Sequence, residues 1–539
     1  MYYSLEPNRE YPHQSVFEAL FEGETTVPGD KKLLIDSDNP ENYLTRDALK
    51  RDILLFAQGL KDKFDFRSGD ILAICAPNHL DCPIALHGPT VIGAITACIQ
   101  SEEGSKNILK DMSIAKPKLV IAHKETLQDI KFAANSLGLE DTRILLFGNE
   151  AINGIKPFRD VLMNHSTLAT PIRFTPSELK TLPAYLYYTS GTTGPKKAVV
   201  ITNAIVNAIF YTRAPWITPG VRFLSYGSNA HCSSLIISLS GCIRDGTEVY
   251  IMKSFTLKRM CEAVQRYKIH SLVIHPWVAS ALAKELFVEN YDLSSLHASF
   301  SVGSALDPMT VVQFKKRFGI TLCTLYGMTE CISSFVGSSV AMERGSLGTL
   351  SPGFEAKIID EDNKEFALLE VTEGSVGELC IKSHSITPGY YNNHEATAAL
   401  IDKDGFLHSG DIFRVDPQGY FYYVGRQKDM IKYYSYQISP SDIEDILISH
   451  PYISECCVVG FYSSKISTEV PKAFVVVAPS QRDFITANEL RAYADDRLPD
   501  QMHLRGGVIL IDSLPRSAVG KVLRNSLRHQ MGQRTVNAN

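Results

Sequence analysis

Between about residue 45 and residue 350, short apolar runs of strand length alternate with longer stretches whose apolar residues recur at helical spacing. GDILAICAP (69–77), PKLVIAH (117–123), RILLFG (143–148), SLVIHP (271–276) and ITLCTLYG (320–327) read as short buried strands. ALKRDILLFAQGLKDKF (48–64) and LKRMCEAVQRYKI (257–269) read as amphipathic helices. This alternation constrains the chain to an α/β architecture with largely parallel sheets, because parallel neighbours need a crossover between them.

A chain of 539 residues exceeds what one hydrophobic core holds, so at least two domains are expected. The texture changes near residue 345, where GTLSPGFEAKIID, GELCIKS and GYFYYVG are strand-like pieces separated by glycine turns. They predict a β-rich subdomain. After Arg426 a compact unit begins. Ser439 is placed as a helix N-cap, with Pro440 at the first helical position and Asp442 at the third. Ile443, Ile446 and Leu447 mark that helix's buried face; CCVVGFY, KAFVVVAP and ANELRAYADDRL complete a small α+β domain. The expected division is a large N-terminal domain of mixed, mainly parallel sheets plus the β-rich subdomain (1–427), a small C-terminal domain (428–527) and a tail (528–539).

Hydrophobic content of 45% and charged content of 21% describe an ordinary globular protein, and a net charge of −5 argues against a general binder of nucleic acid or anionic membrane. A local group of donors can still bind phosphate. The eleven cysteines contain no CxxC pair, so neither a zinc site nor a redox dithiol is expected. The N-terminus is polar and carries acid, unlike a signal peptide, and VIGAITACI (91–99) is too short to span a bilayer. The ending Asn537-Ala538-Asn539 is not the peroxisomal Ser-Lys-Leu. The expected location is cytoplasmic.

The most informative polar stretch follows AYLYY directly: YYTSGTTGPKKAV, from Tyr187 to Val199. A surface turn needs one glycine, not two glycines, four hydroxyls and a lysine pair. Glycines let backbone N–H groups approach an anion closely, hydroxyls add donors, and lysine adds a compact charge. The loop is therefore read as a wrap for polyphosphate. Its spacing is not that of the P-loop, since Gly191 and Gly194 are three apart.

This loop resembles the signature of adenylate-forming enzymes: acyl- and aryl-CoA ligases such as 4-coumarate–CoA ligases, beetle luciferases and peptide-synthetase adenylation domains. Their loop reads [ST]SGTTGxPKG. Here it is Thr189-Ser190-Gly191-Thr192-Thr193-Gly194-Pro195-Lys196-Lys197-Ala198, with Lys196 at the usual proline position and Ala198 at the glycine; Lys197 matches the signature lysine. Further motifs follow in the family's order, and the resemblance covers about residues 40–527. Gly303-Ser304-Ala305 occupies the adenine-contacting segment. Tyr326-Gly327-Met328-Thr329-Glu330 matches YGxTE, which implies Tyr326 against adenine, Thr329 on the α-phosphate and Glu330 on Mg²⁺. Asp411, in Leu407-His408-Ser409-Gly410-Asp411, resembles the aspartate that holds both ribose hydroxyls. Arg426 would reach the ribose or phosphate, and Lys428 would be the hinge. Pro515-Arg516-Ser517-Ala518-Val519-Gly520-Lys521 resembles the C-terminal P-[KR]-T-x-x-G-K and makes Lys521 the adenylation lysine.

The resemblance implies ATP, Mg²⁺ and CoA as cofactor and cosubstrates, and a small-molecule carboxylic acid as substrate. The acid is activated as an acyl-adenylate, after which the mobile small domain rotates and the acyl group passes to the CoA thiol. Lys432 matches a lysine on the thioester-forming face, and His231 a histidine beside the acyl group. The family usually has glycine where Ser435 stands, close to the incoming pantetheine. The segment Ser228–Leu235 contains no acid to hold an amino-acid ammonium, so a plain carboxylic acid is expected. Cys232, Ser233, Ser234, Met328, Cys331, Ser333 and Ser334 are the expected pocket lining, small and partly polar. The alternative is a stand-alone adenylating enzyme that serves a carrier-protein thiol or an amine. A silent nucleotide-binding scaffold is disfavoured, because Lys197, Glu330, Asp411 and Lys521 are all present.

Overall fold

All five apolar runs form strands, distributed over two sheets. The computed structural model describes residues 1–23, 26–189, 196–212, 220–332, 334–360, 365, 376–434, 436–464, 466–517 and 520–528. One sheet has six strands in the order Ile144–Leu146, Leu119–Ala122, Ile71–Cys75, Ile95–Cys98, Pro183–Tyr188 and Ala198–Thr202. Its pairings are parallel until Ala198–Thr202 returns antiparallel along Pro183–Tyr188. The phosphate loop is thus the connection between two adjacent strands.

The second sheet runs Leu322–Leu325, Ala298–Val302, Ser271–Ile274, Arg222–Ser225, Glu248–Ile251, Lys32–Asp36 and Tyr43–Thr45. Only the last pairing is antiparallel. Strands buried on both faces explain the continuous apolar runs. Helix Arg46–Phe64 begins where the Thr45 hydroxyl accepts from the Ala48 N–H at 3.3 Å. Helix Leu257–Tyr267 is capped in the same way by Thr256 and ends at Lys268, whose φ is 50°.

The β-rich subdomain is a five-stranded antiparallel sheet, ordered Tyr2–Tyr3, Glu355–Ile359, Val376–Lys382, Leu407–Val415 and Phe421–Arg426. Its first strand escaped the sequence reading, because two residues carry no periodicity. Tyr2 is nonetheless 3% exposed and meets Phe421 edge-on, with ring centroids 5.6 Å apart.

From Ile431 onward the chain builds a separate core on Ile443, Leu447, Val458, Val475 and Leu490. A hairpin (Ile431–Tyr433, Tyr436–Ile438), a three-stranded sheet and the helices Pro440–Ile448 and Ala487–Asp495 form this C-terminal domain. Ser439 does stand at the N-cap position, but its side chain does not cap. Its hydroxyl donates instead to the Val424 carbonyl at 2.6 Å, tying the helix start to the last strand of the five-stranded sheet. All eleven cysteines are free thiols. No described helix is long and apolar enough to cross a membrane.

Candidate active site

Open parallel sheets present ligand sites beyond the carboxyl ends of their strands. Four strands here deliver residues to one cavity in that way: Pro183–Tyr188 leads into Thr189, Ser271–Ile274 into His275, Ala298–Val302 into Gly303 and Leu322–Leu325 into Tyr326. The cavity measures about 1450 Å³, and Arg516, Gly520 and Lys521 of the C-terminal domain complete its wall.

At the phosphate loop, the Thr189 N–H donates to the Lys197 carbonyl at 3.0 Å, and the Lys197 N–H donates to the Thr189 hydroxyl at 3.3 Å. These bonds close the base of the loop; Ser190, Gly191, Thr192, Thr193 and Gly194 lie outside the described residues. The Lys197 ammonium sits 4.8 Å from the centre of the Tyr390 ring, a cation–π contact. The Tyr390 hydroxyl in turn donates to Glu330 Oε1 at 2.8 Å. One tyrosine thus contacts both the loop lysine and the Glu330 carboxylate. Thr329 lies beside them, its hydroxyl 3.9 Å from the Cys232 sulfur. A buried carboxylate facing a cavity that also holds the loop lysine fits Mg²⁺, which takes one or two carboxylates and fills its remaining positions with phosphate oxygens and water.

Across the cavity, Asp411 accepts from the Tyr326 hydroxyl at 2.7 Å and pairs with Arg426 Nε at 3.4 Å. Burial raises the Asp411 carboxyl above its ordinary range, against the opposing pull of Arg426. The Tyr326 ring packs on Phe335 and Phe413. Its hydroxyl is thereby spent on orienting Asp411, a role the motif alone does not disclose. Ser304, Ala305 and Gly327 line the same cavity. Gly303 has φ +94°, and a Cβ there would lie 3.3 Å from His275 Cδ2.

Lys521 reaches the cavity on a turn held by Arg516, which donates to the Gly520 carbonyl at 2.7 Å and pairs with Glu455 at 2.9 Å. Gly520 has φ +80°, and a Cβ there would lie 3.0 Å from the Trp277 indole nitrogen, so this seam requires glycine. Burial, reinforced by Arg426 and Lys428 and opposed by Asp411, lowers the Lys521 pKa to about 7. Burial also lowers Lys428.

The His231 ring nitrogen Nδ1 accepts from the Ser233 N–H at 3.2 Å, which leaves the ring proton on Nε2. Burial, and then the Lys521 ammonium, push His231 down to about 4. His275 is also pushed down to about 4, by burial and then by His231 and Arg516. Neither histidine titrates near neutrality. Were Lys521 to neutralise phosphate charge it would have to carry its proton, and kcat/KM for ATP should then fall as pH rises through about 7. The kcat limb should lie higher, because bound polyphosphate favours the ammonium. Initial rates of pyrophosphate release from about pH 6 to about pH 9 check this, and a flat profile would contradict it.

One expectation meets a different structure. The pocket lining is less polar than the sequence indicates. Ser234 turns its hydroxyl to the Ser228 carbonyl at 2.9 Å, and Cys331 and Ser334 contact each other, buried, at 3.3 Å. Cys232, Ser233, Ile236 and Ile237 form the wall beside His231, with Met328 and Ile332 nearby in the chain's later segments. The helix Cys232–Ile236 passes into a π-helical turn, Ile237–Gly241, which shifts the face presented to the cavity. Ser333 lies outside the described residues.

Lys432 is exposed and stands outside the cavity, its N–H donating to Glu469 at 2.9 Å. Ser435 lies outside the described residues. Sequence reasoning missed His275, Tyr226 and Tyr390. The Tyr226 hydroxyl lies 2.9 Å from His275 Nδ1, and a histidine directly after a parallel strand is the signal that could have found this pair.

The AMP-binding enzyme family matches residues 21–391, and the AMP-binding enzyme C-terminal domain matches residues 442–521. A Dictyostelium discoideum protein described as "Probable 4-coumarate–CoA ligase 1" is 30% identical over 553 residues, covering 97% of this chain and 96% of its own. Luciferin 4-monooxygenase from Photuris pensylvanica is 30% identical over 505 residues, covering 92% of this chain and 91% of its own. The crystal structure of an anthranilate CoA ligase in complex with anthranoyl-AMP shares the fold, with a TM-score of 0.85 at 21% identity, covering 96% of this chain and 97% of that one. With both parts of the chain matched in order and the motif residues gathered around one cavity, the protein belongs to the AMP-binding enzyme family.

Proposed function

We propose that this protein is an AMP-forming acid–thiol ligase that activates a carboxylic acid with ATP and transfers the acyl group to CoA. The observation that carries the reading is the convergence of Lys197, Glu330, Asp411 and Lys521 on a single cavity. These residues lie up to several hundred positions apart, and together they supply what an adenylate-forming site needs: cations for phosphate, a carboxylate for the metal and a carboxylate for a vicinal diol.

In the first step a carboxylate oxygen of the substrate attacks the α-phosphorus of ATP. The bond to the bridging oxygen breaks, and pyrophosphate leaves with its electron pair. No protein nucleophile is required, so the residues act by position and charge. Lys197 and Lys521 neutralise the phosphates, Thr329 donates to the α-phosphate, and Asp411 with Arg426 fixes the ribose. Glu330 would hold Mg²⁺, which supplies further charge neutralisation when bound. In the second step the CoA sulfur, deprotonated, attacks the acyl carbonyl and AMP leaves. The neutral His231, beside the apolar wall of Ile236 and Ile237, keeps the acyl end of the site free of competing charge.

The wall of Cys232, Ile236 and Ile237 beside His231, and a relative described as a probable 4-coumarate–CoA ligase, support an aromatic or otherwise apolar carboxylic acid as substrate. Residues 1–427 and 428–527 are taken as the two domains, with Lys428 as the hinge between them. The exposed position of Lys432 then has a reason: it belongs to the face that turns toward the cavity for thioester formation. Lys432→Ala should keep adenylation within about twofold of wild type and slow thioester formation about tenfold or more. Mass spectrometry of acyl-AMP and acyl-CoA formed from ATP, a panel of aryl and alkyl acids and CoA reads both steps. Equal loss of both would assign Lys432 a structural role, and acyl-AMP without acyl-CoA in the wild-type reaction would leave an amine or carrier-protein thiol as the acceptor.

A further inference from the structure

A buried ion cluster stands at the stems of the phosphate loop, and its centre is Asp111 in the helix Ser105–Ala115. The Lys196 ammonium lies 2.8 Å from Asp111 Oδ2 and also pairs with Glu103. The Lys196 and Asp111 side chains are 13% and 0% exposed. The loop's other stem reaches the same residue, because the Tyr188 hydroxyl donates to the Asp111 carbonyl at 3.0 Å. Residues on both sides of the loop are thus fastened to one point of one helix. That point is immobile: Ile108, Met112 and Ala115 of the same helix are buried in a hydrophobic core.

An exposed pair would add little, and here burial opposes both charges, raising the Asp111 carboxyl to about 8 and lowering Lys196 to about 8, so their 2.8 Å contact must offset the loss of hydration. Such a cluster therefore needs a reason beyond stability. Its neighbour supplies one. Lys196 is tied to the helix through Asp111, and the next residue, Lys197, faces the Tyr390 ring; both lysines line the cavity. We propose that Asp111, supported by Glu103, is a positioning residue of this enzyme: it clamps both stems of the phosphate loop, through Tyr188 and Lys196, and so sets where Thr189 and Lys197 meet the polyphosphate. This rests on the reading of the cavity as an ATP site.

Charge and position make opposite predictions for Asp111→Asn. Removing a carboxylate near bound polyphosphate should by electrostatics strengthen ATP binding. Loosening the Lys196 half of the clamp, while the Tyr188 bond to the main-chain carbonyl stays, should weaken it. We expect ATP affinity by calorimetry to fall about tenfold while KM for the acid changes by less than about twofold. Lys196→Arg, which keeps the ion pair, should retain most of the affinity. Should Asp111→Asn not fold, the neutral variant carrying Glu103→Gln, Asp111→Asn and Lys196→Met removes every charge of the cluster and should show the same selective loss. ATP affinity within about twofold of wild type, or tighter, in either folded variant would overturn the proposal. ATP binding by the wild-type protein tests the functional reading separately, and its absence would overturn both.

Discussion

Lys521→Ala is expected to slow acyl-adenylate formation by about 10²- to 10³-fold, the loss typical when one preorganised donor to developing charge is removed. Thioester formation from supplied acyl-adenylate should persist, since the proposed rotation of the small domain withdraws Lys521 from the cavity before that step. The size of the effect follows from the setting. Lys521 lies in a cavity with Arg426 and Lys428, and these cations together with burial lower its pKa to about 7. Such a group is costly to keep charged in the free protein and is stabilised when anionic polyphosphate arrives. Its attraction for the reacting phosphates is therefore stronger than that of a solvated lysine. Pyrophosphate release close to the wild-type rate would show that Lys521 does not touch the reaction.

Asp411→Ala should weaken ATP binding about 10²- to 10⁴-fold. Each hydrogen bond from a ribose hydroxyl to the carboxylate contributes about 1.5–3 kcal/mol, and two are removed. The upper part of the range is expected, because the substitution also strips a partner from Arg426 and from the buried Tyr326 hydroxyl. Calorimetry with the folded variant measures this directly. Unchanged nucleotide affinity would remove Asp411 from the site.

Much of this site was legible in the sequence because its chemistry is concentrated in short polar strings. Thr329-Glu330, Gly410-Asp411 and Gly520-Lys521 stand out through their match to the family's motifs and their order along the chain. The long strands were legible for the same reason in reverse, as runs of Val, Ile and Leu buried on two sides. Contacts made by single side chains across long separations were not. Tyr390 bonds Glu330 from 60 positions away, and nothing in Gly389-Tyr390-Tyr391 marks it as part of a phosphate site. Asp111 sits within an amphipathic helix where an acid reads as solvent-facing, yet its side chain is fully buried. Ser439 shows the same limit at short range. Its placement at a helix start was right, but tertiary structure offered its hydroxyl the Val424 carbonyl, and that bond replaced the cap. The pocket lining was misread because Ser234 bonds the Ser228 carbonyl and Cys331 contacts Ser334, buried pairings that a list of small polar residues does not reveal.

The most direct test of the account is acid-dependent exchange of labelled pyrophosphate into ATP, catalysed by the purified protein with Mg²⁺ and each member of a panel of aryl and alkyl carboxylic acids. Exchange reports the reversible formation of acyl-adenylate without requiring any acceptor. The account predicts exchange that depends on the acid, is strongest with an aryl or apolar acid, and is lost in Lys521→Ala. A folded wild-type protein that binds ATP yet exchanges no label with any acid of the panel would contradict it, and would identify the chain as a nucleotide-binding scaffold without adenylating activity.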